Sequence, residues 1–148
     1  MADQAIERTT VDASPERCLE VVLEFERYPE WAKDVKKVDV LQRDQEGRGT
    51  EVTFRTAAMG RSTTYTLAYE YRDDPIRVEW KLLDGDIMRQ LDGAYELAAA
   101  DGDPDRTEVT YELVVELVIP LPGFVKSRGR SRIMHTALRE LKARAESE

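Results

Sequence analysis

The sequence predicts an α+β fold in which a long antiparallel sheet is covered by a single large helix. Three observations support this prediction. A short amphipathic helix follows the first strand, six runs with an apolar/polar period of two come next, and one helical segment, Gly123–Glu146, closes the chain. Such a sheet and helix can enclose a space that their own side chains need not fill. The hypothesis is therefore that the protein has an internal cavity.

Length and composition indicate one domain over residues 1–148. A chain of 148 residues is long enough to bury roughly 70% of its unfolded surface. Its hydrophobic fraction of 41% is ordinary for a globular protein and too high for a disordered one. The formal net charge of −8 argues against a general nucleic-acid binder, which needs a net basic face.

Basic residues are concentrated in the closing segment of this otherwise acidic chain. The interpretation we favour is a solvated helix face, and the alternative is an anion site or a transient contact with a membrane surface. The cluster comprises Lys126, Arg128, Arg130, Arg132, Arg139, Lys142 and Arg144.

The N-terminus and the single cysteine bear on location. The N-terminus has no apolar stretch of the kind found in signal peptides, and nowhere do 18 apolar residues run together. Cys18 is the only cysteine, so no internal disulfide can form, and its apolar neighbours favour a buried structural thiol. We therefore expect a cytoplasmic protein that does not span a membrane.

The first strand is predicted over Gln4–Asp12, followed by a helix over Pro15–Phe25. Ser14 is a good N-cap because its hydroxyl can accept from free amides, and proline suits the first helical position. Pro29 stops this helix, and Trp31 is expected in one more short turn.

From Val35 onward the apolar residues recur every second position, which predicts six consecutive strands. Hairpin-length connections imply antiparallel pairing, with one face covered and one face wet. The predicted turns are Gln45–Gly47, Met59–Gly60, Asp73–Pro75, Asp84–Gly85 and Asp101–Asp105.

The closing helix is apolar along one stripe only in its second half. That stripe consists of Ile133, Met134, Ala137, Leu138, Leu141 and Ala145. Between Lys126 and Arg132 there is no large apolar residue, and Gly129 costs a helix about 1 kcal/mol relative to alanine. A cavity is therefore expected beneath Gly123–Arg132; a frayed, exposed first turn is the alternative.

Five segments in this order resemble the START-like, helix-grip (SRPBCC) superfamily, specifically its polyketide cyclase/dehydrase and coenzyme Q-binding group. They are Ala13–Glu16, Phe25–Trp31, Val35–Val40, Gly93–Leu97 and Leu121–Phe124. The resemblance implies a seven-stranded antiparallel sheet curved around the C-terminal helix, with two short helices after strand 1 and a deep hydrophobic cavity. Members bind lipids, isoprenoid quinones, polyketides or plant hormones, and a minority catalyse cyclisation or dehydration.

The residues that share the predicted concave face are the candidate ligand-binding residues. An apolar wall with a few polar groups suits a pocket for a hydrophobic small molecule, although tyrosine and tryptophan can also simply pack a core. The candidates are Phe54, Tyr65, Leu67, Tyr69, Trp80, Arg89, Leu91, Tyr95 and Tyr111, with Val52, Leu82 and Leu113 on the same face. Phe124, Trp31 and Met59 are expected near the entrance.

Arg89 has the parity of the inward-facing residues, and a buried charge needs a partner. It could pair with Glu112 or another carboxylate, or lie at the cavity mouth. It could also contact a carboxylate, carbonyl or phenolate of a ligand. The main alternative is a β-bulge that turns its side chain outward.

The sequence gives little support for catalysis. His135 is the only histidine and has no metal-ligand spacing, and no glycine-rich phosphate loop is present. We assign no catalytic residue, metal ligand or cofactor, and the sequence does not decide the oligomeric state. Our leading hypothesis is binding or transport of a hydrophobic small molecule (lipid, isoprenoid or polyketide); the alternative is a polyketide aromatase/cyclase or dehydratase.

Overall fold

The computed structural model describes residues 4–58, 61–118 and 122–147, with the backbone alone for Ala58 and Phe124. Seven strands, three α-helices and a 3₁₀ turn (Phe25–Arg27) follow one another along the chain. The elements are β1 (Gln4–Val11), α1 (Pro15–Leu23), α2 (Tyr28–Trp31), β2 (Val35–Arg43), β3 (Gly49–Ala58), β4 (Arg61–Asp73), β5 (Ile76–Gly85), β6 (Met88–Ala100), β7 (Asp103–Leu117) and α3 (Gly123–Glu146).

All strands form one antiparallel sheet in the order β1-β7-β6-β5-β4-β3-β2. Strands β2 to β7 are therefore a meander, and β1 pairs with β7 in a register that places Gln4 opposite Val114 and Val11 opposite Thr107. The predicted fold class is confirmed: an α+β helix-grip fold whose curved sheet is covered by a C-terminal helix.

Helix α1 begins as its sequence predicts and ends earlier. The Ser14 side-chain oxygen accepts a hydrogen bond from the Arg17 amide at 3.1 Å, and Pro15 occupies the first turn. The helix ends at Leu23 because Glu24 leaves helical geometry, with φ −83° and ψ 63°. Phe25, predicted as the last helical residue, instead begins the 3₁₀ turn and is 1% exposed.

The core lies between the sheet, α1 and the second half of α3. Met134, Leu138, Leu141 and Ala145 of α3 are buried, whereas Ile133 of the predicted stripe is 41% exposed. Burying one leucine or methionine side chain stabilises a fold by roughly 1.5–3 kcal/mol, so this stripe fixes the second half of the helix.

The C-terminal end of α3 is also held by hydrogen bonds. The Arg17 guanidinium donates to the carbonyl oxygens of Arg144 (3.3 Å), Ala145 (3.4 Å) and Ser147 (3.3 Å). Lys142 Nζ donates to the Thr10 carbonyl at 2.8 Å. Cations suit this end of a helix because its last carbonyl groups lack partners within the helix.

Two of the predicted turns remain to be described. The turn between β6 and β7 is shorter than Asp101–Asp105, because β7 begins at Asp103 and the chain reverses at Asp101 (φ 50°) and Gly102 (φ 76°). The predicted hairpin tip Met59–Gly60 lies outside the described residues. In the part of the chain that the structure describes, no helix is long and apolar enough to cross a membrane.

Candidate functional site

A cavity of about 350 Å³ lies between the concave face of the sheet, α2 and α3. Its walls are mainly aromatic and aliphatic. The aromatic residues are Tyr28, Trp31, Phe54, Tyr65, Tyr69, Trp80, Tyr95 and Tyr111, and the aliphatic ones are Val22, Ala32, Val35, Leu67, Ile87, Met88, Leu91, Leu113, Ile133 and Ala137.

The aromatic wall follows from the strand register, because directly paired residues of an antiparallel sheet point to the same face. Phe54 is paired with Tyr65 across β3 and β4, and their ring centroids are 5.6 Å apart. Tyr69 is paired with Trp80 (6.0 Å), and Tyr95 with Tyr111 (4.7 Å). One aromatic pair from each of three strand pairs therefore lines the same cavity.

Gly93 positions the Trp80 ring within this wall. It is paired with Trp80 on β5. A Cβ atom at Gly93 would lie 2.4 Å from the Glu112 carbonyl oxygen and 2.7 Å from Cζ2 of Trp80. Both distances are shorter than any ordinary contact, so only glycine lets the indole lie across β6 beside the Tyr95 and Tyr111 rings.

Burial keeps the cavity tyrosines in their neutral form. It raises the pKa of Tyr65 to about 12, even though a hydrogen bond with Thr56 opposes the shift. Burial also raises the pKa values of Tyr69, Tyr95 and Tyr111 above their ordinary range. At neutral pH these phenols keep their protons, so they can donate hydrogen bonds and cannot act as general bases.

Several of these donors have no partner in the described part of the protein. The Tyr28 hydroxyl donates to the Val22 carbonyl at 2.6 Å. No hydrogen bond links the hydroxyl groups of Tyr69, Tyr95 and Tyr111 to another described residue. The buried Trp31 Nε1 also has no partner there. A buried donor without an acceptor costs about 1–3 kcal/mol, which applies to Trp31 Nε1, whereas the three hydroxyl groups remain available as donors.

Charged and polar residues complete the cavity lining. The Glu140 carboxylate accepts a hydrogen bond from the Lys33 amide at 3.0 Å. Arg61 and Arg132 are exposed, which places them at the mouth, and neither forms an ion pair with a described residue. The polar set is Asp34, Thr56, Arg61, Thr63, Arg132, Thr136 and Glu140.

The expectation that Arg89 points into the cavity is wrong. The register between β6 and β7 shifts between Met88 and Gln90, so an additional residue is accommodated there. This bulge leaves Met88 and Leu91 in the cavity wall and turns Arg89 away from it. The Arg89 side chain is 63% exposed and lies 3.8 Å from the Glu116 carboxylate.

The other predicted residues divide into three groups. Phe54, Tyr65, Leu67, Tyr69, Trp80, Leu91, Tyr95, Tyr111, Leu113 and Trp31 all line the cavity. Val52 is fully buried and Leu82 partly buried, and neither is part of the lining. The Phe124 side chain and Met59 lie outside what the structure describes. That the lining residues bind a ligand stays a prediction.

Apart from Trp31, sequence reasoning missed the lining residues that α2, the start of β4 and α3 contribute. Arg61 adjoins the predicted hairpin tip, and Arg132 belongs to the basic cluster, so both were visible as charged residues without an assigned place. The cavity expected beneath Gly123–Arg132 lies farther along α3, against residues from Gly129 to Glu140. A smaller cavity does lie under the first turns of the helix.

His135 and Cys18 lie outside this site. His135 is exposed, Cys18 is buried in the core, and neither lines the cavity. Among the described residues, no group of three or more His, Cys, Asp or Glu side chains is placed to hold a metal ion.

A curved antiparallel sheet covered by a C-terminal helix, with two short helices after the first strand, defines the helix-grip fold class. Residues 3–146 match the family model described as polyketide cyclase/dehydrase and lipid transport. The chain therefore belongs to this START-like family. No curated protein matches the sequence.

Solved structures share the fold over almost the whole chain. A START superfamily protein from Mycobacterium smegmatis is 23% identical, with a TM-score of 0.88 and 97% of each chain covered. The Zhui aromatase/cyclase from Streptomyces sp. R1128 is 15% identical, with a TM-score of 0.83 and coverage of 99% of this chain and 94% of the other. A protein from Thermus thermophilus is 21% identical, with a TM-score of 0.78 and 97% of each chain covered. Identities this low establish the fold alone.

Proposed function

We propose that this protein binds a hydrophobic small molecule, such as a lipid, an isoprenoid or a polyketide, between the sheet and α3. The observation that carries the proposal is the unfilled cavity of about 350 Å³ behind an aromatic wall. Protein interiors are normally close-packed, so a space of this size, lined by large apolar side chains and a few polar groups, is typical of a ligand site.

The chemistry of the walls indicates how such a ligand would be held. Apolar contact supplies affinity at about 25 cal/mol per Å² of surface removed from water. The neutral hydroxyls of Tyr69, Tyr95 and Tyr111 would orient carbonyl or hydroxyl groups of the ligand. The description of the family, which includes lipid transport, agrees with this proposal.

Native mass spectrometry of the protein purified from its source cells tests the proposal. We expect an apolar molecule to co-purify with the wild type. Leu91→Trp should abolish its recovery, because Leu91 is 7% exposed and lines the cavity, so an indole there fills the space. Leu83→Trp is the matched control, since Leu83 is 54% exposed and lies outside the lining. Recovery of no ligand, together with no binding from several lipid extracts, would contradict the proposal.

A polyketide aromatase/cyclase or dehydratase is the second candidate. It is favoured by the fold shared with the Zhui aromatase/cyclase and by the family description. Neutral Tyr65 and Tyr95 could polarise a ketone, and Asp34 or Glu140 would have to supply the base. The outward position of Arg89 removes it from this mechanism.

Tyr95→Phe separates the two candidates. Loss of one hydroxyl should lower the turnover of a cyclase about 100-fold, because its bond to the carbonyl strengthens as charge develops. A carrier should lose only about 1 kcal/mol of affinity. Steady-state turnover of a poly-ketone substrate and calorimetric binding of the same molecule distinguish these outcomes.

A further inference from the structure

A second cavity of about 280 Å³ lies beside the main one, beneath the first turns of α3. Its floor is apolar and consists of Met88, Val115 and Leu117, at the ends of β6 and β7. The α3 side is mixed, because the helix contributes Lys126, Ser127 and Arg130 together with Val125 and Ile133. The basic side chains of this cavity therefore all come from α3, opposite an apolar floor.

The helical period explains why this second space is not filled. Met134, Leu138 and Leu141 form the buried stripe of α3. The same face, followed toward the helix start, carries Arg130, Ser127 and Gly123, which are long and charged or else small. The stripe that fills the core in the second half of α3 is therefore replaced by charged and small residues above the apolar floor in the first half.

The two cavities meet at Gly129. Met88, Gly129 and Ile133 line both spaces, so the two cavities adjoin at these residues. A Cβ atom at Gly129 would have no heavy atom within 4 Å, apart from its own helix backbone and chain neighbours. Space is therefore free beside Gly129 where the two cavities adjoin, and a larger side chain at this position would take up part of it.

The sequence of the first half of α3 is unfavourable for helix formation. It has no acidic residue before Glu140, and neither a side-chain cap nor an acidic first turn. Basic residues near a helix N-terminus are unfavourable because they add to its positive end. They are, however, well placed to attract an anion over an apolar floor.

We propose that the two cavities are one continuous site for an amphipathic ligand. The apolar body occupies the main cavity, and an anionic end, a carboxylate or phosphate, lies beneath Lys126 in the second cavity. Gly129 is the passage between them and sets which ligand lengths fit. This inference rests on the proposed function, since it names the ligand class for the same site.

The first test compares ligand lengths. The probes are palmitate, which is long enough to reach both cavities, and naphthol, which fits the main cavity alone; dissociation constants are measured by isothermal titration calorimetry. We expect Gly129→Leu to weaken palmitate about tenfold and naphthol by a clearly smaller factor, because the new side chain blocks the boundary and touches only one edge of the main cavity. Ser131→Leu is the control, because Ser131 is exposed on the same helix and lines neither cavity.

The second test removes the positive charge from the protein by substitution, or the negative charge from the probe by using an uncharged analogue. Lys126→Gln should weaken palmitate about fivefold and leave hexadecanol, the uncharged analogue, unchanged. Arg128→Gln removes the same charge from an exposed position that lines neither cavity, so it should affect both probes equally and weakly. A dodecyl phosphate arm distinguishes a phosphate end from a carboxylate end.

The outcomes separate this inference from the function on which it rests. If palmitate binds Gly129→Leu and Ser131→Leu equally well, or if wild-type protein binds naphthol but not palmitate, the continuous site is wrong while a hydrophobic site remains. If Lys126→Gln and Arg128→Gln weaken palmitate equally, the anionic end does not lie under Lys126. Failure of the wild type to bind any of the probes would contradict the proposed function itself.

Discussion

Two glycines, Gly93 and Gly129, show how the same residue type serves opposite purposes in this protein. At Gly93 no side chain can be accommodated, because a backbone carbonyl and an indole ring already occupy the space. At Gly129 the missing side chain leaves open space beside the cavities. The first glycine is therefore demanded by packing, and the second costs the helix stability without any packing need.

Substitution by alanine should separate these two roles. We expect Gly93→Ala to lower the free energy of unfolding by about 2–3 kcal/mol, because the new methyl group must displace Trp80 or the β7 backbone. Gly129→Ala should raise it by about 0.5–1 kcal/mol through helix propensity. Urea unfolding of the two variants measures both effects. Equal destabilisation by both substitutions would contradict this account.

Arg89 marks a limit of reading single residues from a sequence. Strict alternation from Leu91 places Arg89 on the concave face, and only the extra residue between Met88 and Gln90 reverses it. A bulge depends on how two strands pair, so the pattern of one strand does not reveal it. The alternation of β4 and β5 also predicts that their aromatic residues share a face. That prediction is correct because no bulge interrupts the pairing from Leu67 to Tyr71.

At the scale of elements, the outer face of the sheet is tied together by Arg77 of β5. Its guanidinium donates to both carboxylate oxygens of Glu112 on β7, at 3.0 and 3.1 Å, and to Glu79 at 2.5 Å. Strand β6 lies between β5 and β7, so this contact crosses the full width of a strand. The hydrogen bonds from Arg77 lower the pKa of Glu112 below its usual range.

This lowered pKa predicts how stability depends on pH. The contribution of Glu112 is present above the unfolded-state pKa near 4.5 and is lost as the pH falls through the lower folded-state pKa. Glu112→Gln should therefore cost about 1 kcal/mol at neutral pH and progressively less in acid. Chemical unfolding at a series of pH values measures this difference.

Glu70→Gln provides the comparison for that experiment. Glu70 is exposed on β4 and forms no ion pair with a described residue, so its substitution should have little effect at any pH. A cost for Glu112→Gln that stays constant into strong acid would show that the ion pair is not its origin.

At the scale of the whole molecule, the tyrosines form one connected environment. Burial raises the pKa values of all six above their ordinary range. The folded state thus favours the neutral phenol more strongly than the unfolded state does. This contribution to stability is complete below pH 10, the ordinary pKa, and is lost as the pH rises through the folded-state values.

We therefore expect tyrosine ionisation and unfolding to coincide in alkali. Ultraviolet absorbance of tyrosinate should stay low near pH 10 in the native protein and rise together with loss of the circular dichroism signal. In concentrated urea the same residues should ionise near their ordinary pKa. Ionisation of even one tyrosine near pH 10 with the fold intact would contradict the burial of the cluster.

The fold could be predicted from the sequence more completely than the site could. Alternation and turn residues determine antiparallel strands, and the bounds Gly123–Glu146 of α3 follow from Pro122 and the apolar stripe. The cavity mouth was not predictable in this way. Arg61 and Arg132 line the same cavity only because the fold places β4 and α3 on its two sides, and neither segment carries a pattern that specifies the other.

The hydrogen bonds from Arg17 and Lys142 hold α3 at its C-terminal end only. They and the buried stripe hold its second half, whereas its first half lies over the second cavity. Lifting the first half would break no contact of the buried stripe, so exchange of a ligand need not wait for global unfolding. For a ligand bound as proposed, the rate of release would then depend on the first half of α3, and the stability of the fold mainly on the second half.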